Sequence, residues 1–277
     1  MKLWPAALAL VLISSGCVSN TPLHEAARKG DKAKVAELLQ QGAKIDAKNA
    51  RGCTPLFIAV ENGDTETVEE LLNHGADPAK RALLKHGNAP LHVAAQNGFD
   101  PIIELLLAKS TNNVDVRNSG GQTPLMLAAW ARHPHTVTLL IKRGANPRAV
   151  DRHGWTALHT PWDAKPSDAN YTSVMEILIA NKAPVNAAAG IPLGYTPLMG
   201  AAMVGDKETV ELLLELGARV NDADADGNTA YSLAAHERYS DVMSVLSERG
   251  GTRFNPISRE PAETETEPTT TEEPANP

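Results

Sequence analysis

The chain has 277 residues, of which 42% are hydrophobic, 21% charged and only 4% aromatic. Abundant alanine and leucine beside so few aromatics exclude a β-sandwich, whose strands need Val, Ile, Tyr and Phe in alternation, and predict an all-α body packed through small residues. The net charge of −7 belongs largely to the C-terminal tail: residues 17–255 hold 24 Lys and Arg against 27 Asp and Glu, a near-neutral body without the strongly basic face that a nucleic-acid partner would require.

Residues 1–16, "MKLWPAALALVLISSG", carry Lys2, an apolar run from Leu3 to Ile13, and then Ser14, Ser15 and Gly16. This pattern reads as a secretory signal peptide, too short in its apolar part for a permanent span of about 20 residues. The small residues before Cys17 resemble a bacterial lipobox, in which the cysteine becomes the lipidated first residue. Residues 17–20 would then be the lipidated N-terminus and a short linker. Ser14 stands where that pattern usually has Leu, so ordinary cleavage to a soluble periplasmic protein stays open. In lipoproteins of this kind an Asp after the cysteine signals inner-membrane retention. Val18 is found here, and the resemblance implies an outer-membrane anchor facing the periplasm. With Cys17 lipidated, Cys53 has no disulfide partner in the chain, which leaves a free reactive thiol, an intermolecular bond or a small buried packing residue as the readings.

From Thr21 a motif recurs: "TPLHEAA" at Thr21, "TPLFIAV" at Thr54, "APLHVAA" at Ala89, "TPLMLAA" at Thr123, "TALHTPW" at Thr156, "TPLMGAA" at Thr196 and "TAYSLAA" at Thr229. The spacings are 33, 35, 34, 33, 40 and 33 residues. Self-similarity at this period resembles the ankyrin-repeat family and covers residues 21–251, so the expected fold is a solenoid of about seven helix-turn-helix repeats with short hairpin fingers. Threonine before proline is a helix start, since the hydroxyl caps free amides and proline gives up no needed bond. Leucine-rich second helices such as "VAELLQQGA" end at Gly42, Gly75 and Gly217, where a left-handed cap fits. In the fifth repeat Pro161 and Trp162 replace the usual alanine pair and "DAKPSDANY" lengthens the connection, predicting a shortened helix and a protruding loop. Lys182 stands there where glycine ends the second helix elsewhere.

The first repeat is the basic end, and Arg28, Lys29, Lys32 and Lys34 serve either to meet an anionic membrane surface or simply as the polar outer face that a terminal repeat needs for solubility. Residues 252–277 form an acidic tail of Pro, Thr and Glu with too little apolar surface to fold. No nucleophile motif, phosphate-binding loop or metal motif appears, so the reading is of a non-enzyme without cofactor or metal. His24, His92 and His159 fall on the fourth motif position, where the ankyrin resemblance implies hydrogen bonds within and between repeats. "HPH" at His133–His135 offers too few ligands for a metal site, and "DADADG" from Asp222 lacks the glutamate that a calcium loop needs.

Ankyrin arrays bind partners along finger tips and first-helix ends. By that resemblance the groove includes Arg51, Cys53, Asn88, Gln122 and Val204, and its centre is an aromatic patch of Trp130, Trp155, Trp162, Tyr195 and Met203 beside Arg152 and His153. The leading expectation is a lipid-anchored periplasmic module, monomeric when free, that binds another protein in a protective role. An immunity-type inhibitor of a toxic periplasmic enzyme and a structural envelope spacer are the alternatives.

Overall fold

The computed structural model describes residues 20–82, 84–108, 114–159, 169–190 and 194–253. The signal peptide, Cys17, Pro161, Trp162 and the acidic tail lie outside the described residues. Thirteen helices follow one another there: α1 (Pro22–Lys29), α2 (Lys32–Gln40), α3 (Pro55–Glu61), α4 (Thr65–Asn73), α5 (Pro90–Asn97), α6 (Asp100–Ala108), α7 (Pro124–Trp130), α8 (Pro134–Lys142), α9 (Ala169–Ala180), α10 (Pro197–Met203), α11 (Lys207–Glu215), α12 (Ala230–Glu237) and α13 (Ser240–Glu248). They pair as antiparallel hairpins stacked side by side, the all-α repeat array that the motif spacing predicts.

Most first helices start on a capping threonine, usually followed by proline. The hydroxyls of Thr54, Thr123, Thr196 and Thr229 accept the N–H of Phe57, Met126, Met199 and Ser232 at 3.2 to 3.4 Å. Repeat three has Ala89 at this position and no side-chain cap. We expect Ala89→Thr to raise stability by about 1 kcal/mol, because Thr54 and Thr123 fit the same buried position in the flanking repeats. Chemical denaturation measures it, and an unchanged or lower midpoint would refute the assignment.

The core is one continuous cluster through the array. The alanine pairs, such as Ala27 and Ala202 at 0% exposure, let neighbouring helices approach, while Val35, Leu71, Ile103, Leu140, Leu178, Leu213 and Leu246 from the second helices close the other side. Burial of each such leucine contributes about 2 kcal/mol. No repeat could supply this alone, because its apolar face is covered by its neighbours. Close stacking also decides the turns: at Gly63, φ is +70° and an added Cβ would lie 2.9 Å from the Phe99 ring. Glycine is required there for conformation and for space.

Six fingers join the repeats, at residues 49–53, 82–88, 118–122, 151–155, 189–195 and 224–228. The expected hairpins are tighter than drawn from the sequence: among the described residues there is no strand, only two isolated bridges, Ala82 to Asn88 and Ala189 to Tyr195. A side chain replaces the ladder. Asn49, Asn118, Asp151 and Asp224 each accept two backbone N–H groups through Oδ1, from Arg51 and Cys53, Gly120 and Gln122, His153 and Trp155, and Asp226 and Asn228. This Asx turn satisfies the tip locally and needs no partner strand. It also gives Asp224 its role in "DADADG", as a turn acceptor.

In the fifth repeat, Thr156–His159 form a turn and the helix resumes at α9, with 12 residues against nine in most second helices. The expected short helix and loop fall on residues 160–168, outside those described. Lys182 takes the left-handed conformation, φ +68°, that glycines hold in other repeats.

Candidate functional site

A ladder of buried histidines ties alternate repeats to the next finger. His24 Nδ1 accepts the Thr21 N–H at 3.1 Å and its Nε2–H donates to the Cys53 carbonyl at 3.0 Å. His92 likewise joins Ala89 N–H to the Gln122 carbonyl, and His159 joins Thr156 N–H to the Tyr195 carbonyl at 3.2 Å. Both ring nitrogens are used in the neutral form, so a second proton would break a bond. Burial lowers the pKa of all three below the usual histidine value, that of His92 to about 4.

The ladder positions an aromatic crevice. Trp155 ends the fourth finger, with its backbone N–H and carbonyl both bonded to Asp151, and its ring stands edge-on to His159 at 5.1 Å between centroids. Tyr195 ends the fifth finger, held by paired backbone bonds of 2.7 Å to Ala189. Between them the α10 helix carries Gly200, whose missing side chain leaves a notch with no described residue within 4 Å of where a Cβ would stand. Other first helices have Ile58, Val93 or Leu127 at this position. Trp155, His159, Tyr195, Pro197, Gly200 and Val204 line the notch, whose volume of about 10 Å³ suits a single water or the tip of a side chain and no small molecule.

The crevice has a charge on each flank. Arg152 and His153 are exposed on the Trp155 finger. On the other side burial, and then Asp224 and Asp226 of the sixth finger, push the Tyr195 phenol up.

Not every residue assigned to the groove from the sequence belongs to this site. Trp130, the last residue of α7, packs half-buried on the core, and its buried indole N–H has no acceptor among the described residues. Its neighbour Arg132 lies over the Tyr171 ring, 5.2 Å from the centroid. Met203 is half-buried at the end of α10. Asn88 is buried, and its Oδ1 accepts from Asn118 of the next finger. Gly200 has no side chain to attract attention in the sequence; the departure of "TPLMGAA" from its sister motifs was the available signal.

Cys53 departs most from expectation. It is fully buried, its carbonyl serves His24, and burial raises the thiol pKa. A buried protonated thiol is a packing residue and not a nucleophile. A thiol reagent should therefore label Cys53 slowly in the folded chain and rapidly in denaturant; fast labelling of the native chain would contradict its burial.

The basic end is also more balanced than its composition suggests. Arg28 pairs with Glu25 at 2.7 Å, Lys34 with Glu37 at 2.7 Å, and Lys32 approaches Glu70 at 3.9 Å. These pairs reduce the charge available to a membrane surface. His133 of "HPH" is likewise engaged, donating from Nε2 to the Gln96 carbonyl across the repeat boundary. Among the described residues no cluster of three His, Cys, Asp or Glu could hold a metal ion.

A family model described as ankyrin repeats in three copies matches residues 7–82, 23–118, 91–187 and 164–257. The chain belongs to the ankyrin-repeat family. Among solved ankyrin structures, a domain from Acinetobacter baumannii AYE shares 31% identity at a TM-score of 0.63, covering 72% of this chain and 98% of that one. The human ASB11 ankyrin repeat domain shares 25% at a TM-score of 0.71, covering 84% and 99%. The mouse B-cell lymphoma 3 protein homolog is 34% identical over 61% of this chain and 38% of its own length. The chain thus spans about two fifths of that relative's length. Ankyrin repeats mediate protein–protein interaction, and the apolar notch between charged flanks suits that use.

Proposed function

We propose that the chain is a non-catalytic ankyrin module that binds a protein partner across the fourth to sixth fingers, with one apolar side chain of the partner entering the Gly200 notch. The observation that carries this reading is the conjunction of a missing side chain with Trp155, Tyr195 and Val204 around it. Half-exposed aromatics around a pocket are the usual anchors of an interface, each contributing about 2 kcal/mol or more. Arg152 on one flank and Asp226 on the other would orient the partner by charge.

The leader supports an address: a signal peptide, then Cys17 as the lipid-bearing residue of an outer-membrane, periplasm-facing protein. A protective role in that compartment, by supporting or neutralising the partner, completes the proposal. Capture of envelope proteins on the mature chain tests the binding, beside a Trp155→Ala, Tyr195→Ser variant with the parent's helical CD. Loss of one partner from the variant supports the groove, and unchanged capture sinks it. Membrane fractionation of the native chain and of Cys17→Ala tests the anchor, which predicts that only the native chain sediments with the outer membrane.

A further inference from the structure

Leu84 is the most exposed large apolar side chain among the described residues, at 72%. It stands on the second finger, residues 82–88, which is two residues longer than the first, third, fourth and sixth. The longer finger is tied down at its base: Ala82 and Asn88 form its bridge, and the His86 carbonyl accepts the Ser119 N–H of the third finger at 2.9 Å. The fold thus holds Leu84 out into water.

The charge around this tip is in cationic excess. Residues 44–53 and 77–88 hold Lys44, Lys48, Arg51, Lys80, Arg81 and Lys85 against Asp46 and Asp77, and Glu61 of α3 brings a third carboxylate. Contacts join the two fingers: Lys48 donates from Nζ to the Arg81 carbonyl at 3.2 Å, and Arg51, Lys85 and Glu61 all lie within electrostatic reach of the Cys53 thiol. Glu61 pairs with Lys85 at 3.0 Å, Asp77 with Lys80 at 3.2 Å, and Asp46 accepts the Asp77 N–H. These three carboxylates are partly buried, whereas Lys44, Lys48, Arg51 and Arg81 are exposed and make no ion pair with another described residue.

The end of the chain that carries Cys17 meets the array on this same edge. Asn20 precedes Thr21 as Cys53 precedes Thr54, and its Oδ1 accepts the Asn49 Nδ2–H of the first finger at 2.9 Å. Cys17 is three residues from Asn20, a reach of about 10 Å. Neighbouring repeats stack about 10 Å apart, which puts Leu84 roughly 20 Å along the edge from Asn20. A lipid on Cys17 would therefore hold the first two fingers close to the bilayer.

We propose that the second finger is a membrane contact: Leu84 enters the headgroup region of an anionic phospholipid bilayer, with Lys44, Lys48, Arg51 and Arg81 against its anionic groups. An apolar tip ringed by cations has the two-sided chemistry of an interfacial anchor. The net charge of −7 does not oppose this, because at physiological ionic strength charges act over about 8 Å. One leucine and a few cations bind more weakly than a single acyl chain. The contact thus orients an anchored protein and does not hold it alone. That role rests on the reading of Cys17 as a lipid-bearing residue; the affinity of the finger for lipid does not. The Gly200 notch shares none of these residues.

The test is flotation of residues 17–277 carrying Cys17→Ser, a chain that keeps every described residue and has no lipid. Vesicles of equal phosphatidylglycerol and phosphatidylethanolamine, at millimolar lipid, should carry it upward, and phosphatidylcholine vesicles should do so several-fold less. Leu84→Ser should weaken binding at least ~10-fold with unchanged helical CD, and Arg81→Ser about 5-fold. Leu84→Trp should strengthen it, since tryptophan favours the interface. Equal flotation of Leu84→Ser and its parent, equal binding to both kinds of vesicle, or no flotation of the parent and of Leu84→Trp would each overturn the proposal. So would a Leu84→Ser chain that keeps vesicle binding and loses a captured envelope protein, which would assign the tip to a protein partner. Since this chain carries no lipid, a Cys17 found unmodified by fractionation leaves these results standing, and the two readings fail separately.

Discussion

Gly200→Leu is expected to abolish partner capture while making the array more stable. The opposite signs follow from one missing side chain. Glycine within a helix costs about 1 kcal/mol relative to alanine or leucine, and no described residue lies within 4 Å of where a Gly200 Cβ would stand. Ile58, Val93 and Leu127 already occupy the equivalent position in other repeats. A gain of about 1 kcal/mol corresponds to a rise in melting temperature of roughly 2 to 4 °C for an array of this size. The leucine would fill the notch between Trp155 and Tyr195 and block the partner's anchor, a loss of about 2 kcal/mol or more, or roughly 30-fold in affinity. Calorimetry and titration against the captured partner read the two effects separately. Unimpaired binding in a stabilised variant would move the interface away from the notch.

Acid is expected to destabilise the array through its buried histidines, His92 most of all. Its folded pKa of about 4 lies below the ordinary value of 6.5, and burial is the main cause. The unfolded chain therefore binds more protons between these values, and stability falls as the pH drops through that window. The contribution is complete above pH 6.5 and amounts to about 3 kcal/mol lost by pH 4. His24 and His159 are shifted in the same direction and add to the slope. His92→Met tests the assignment, because Met126 and Met199 hold the same position in repeats four and six. The variant should lose about 1 to 3 kcal/mol at neutral pH with its two hydrogen bonds, yet show a visibly shallower decline between pH 6.5 and 4. Parallel pH profiles for the two chains would assign the acid sensitivity elsewhere.

The repeat architecture is legible in the residues because its signals are local. Thr-Pro pairs, alanine pairs and left-handed glycines act within one turn, and their recurrence near 33 residues gives the stacking. The bridging role of His24, His92 and His159 was legible too, from motif position together with the family resemblance. The fingers were less so, since the Asn49 type of turn and a true hairpin begin from the same polar residues. Trp130, Trp155, Tyr195 and Met203 looked alike as groove positions. Stacking packs both Trp130 and Tyr195 partly against the core, and brings Trp155 and Tyr195 together at the notch.

Cys53 and Gly200 show where one-dimensional reading ends. Their motif positions are plain, but whether a position is covered depends on the next repeat. Cys53 is fully buried, whereas no described residue lies within 4 Å of where a Gly200 Cβ would stand. The sequence by itself determined the helices, their caps and their period, through interactions between residues a few positions apart. Only the tertiary structure decided which side chains face solvent, since burial and charge pairing are set by residues one repeat away, brought together by stacking.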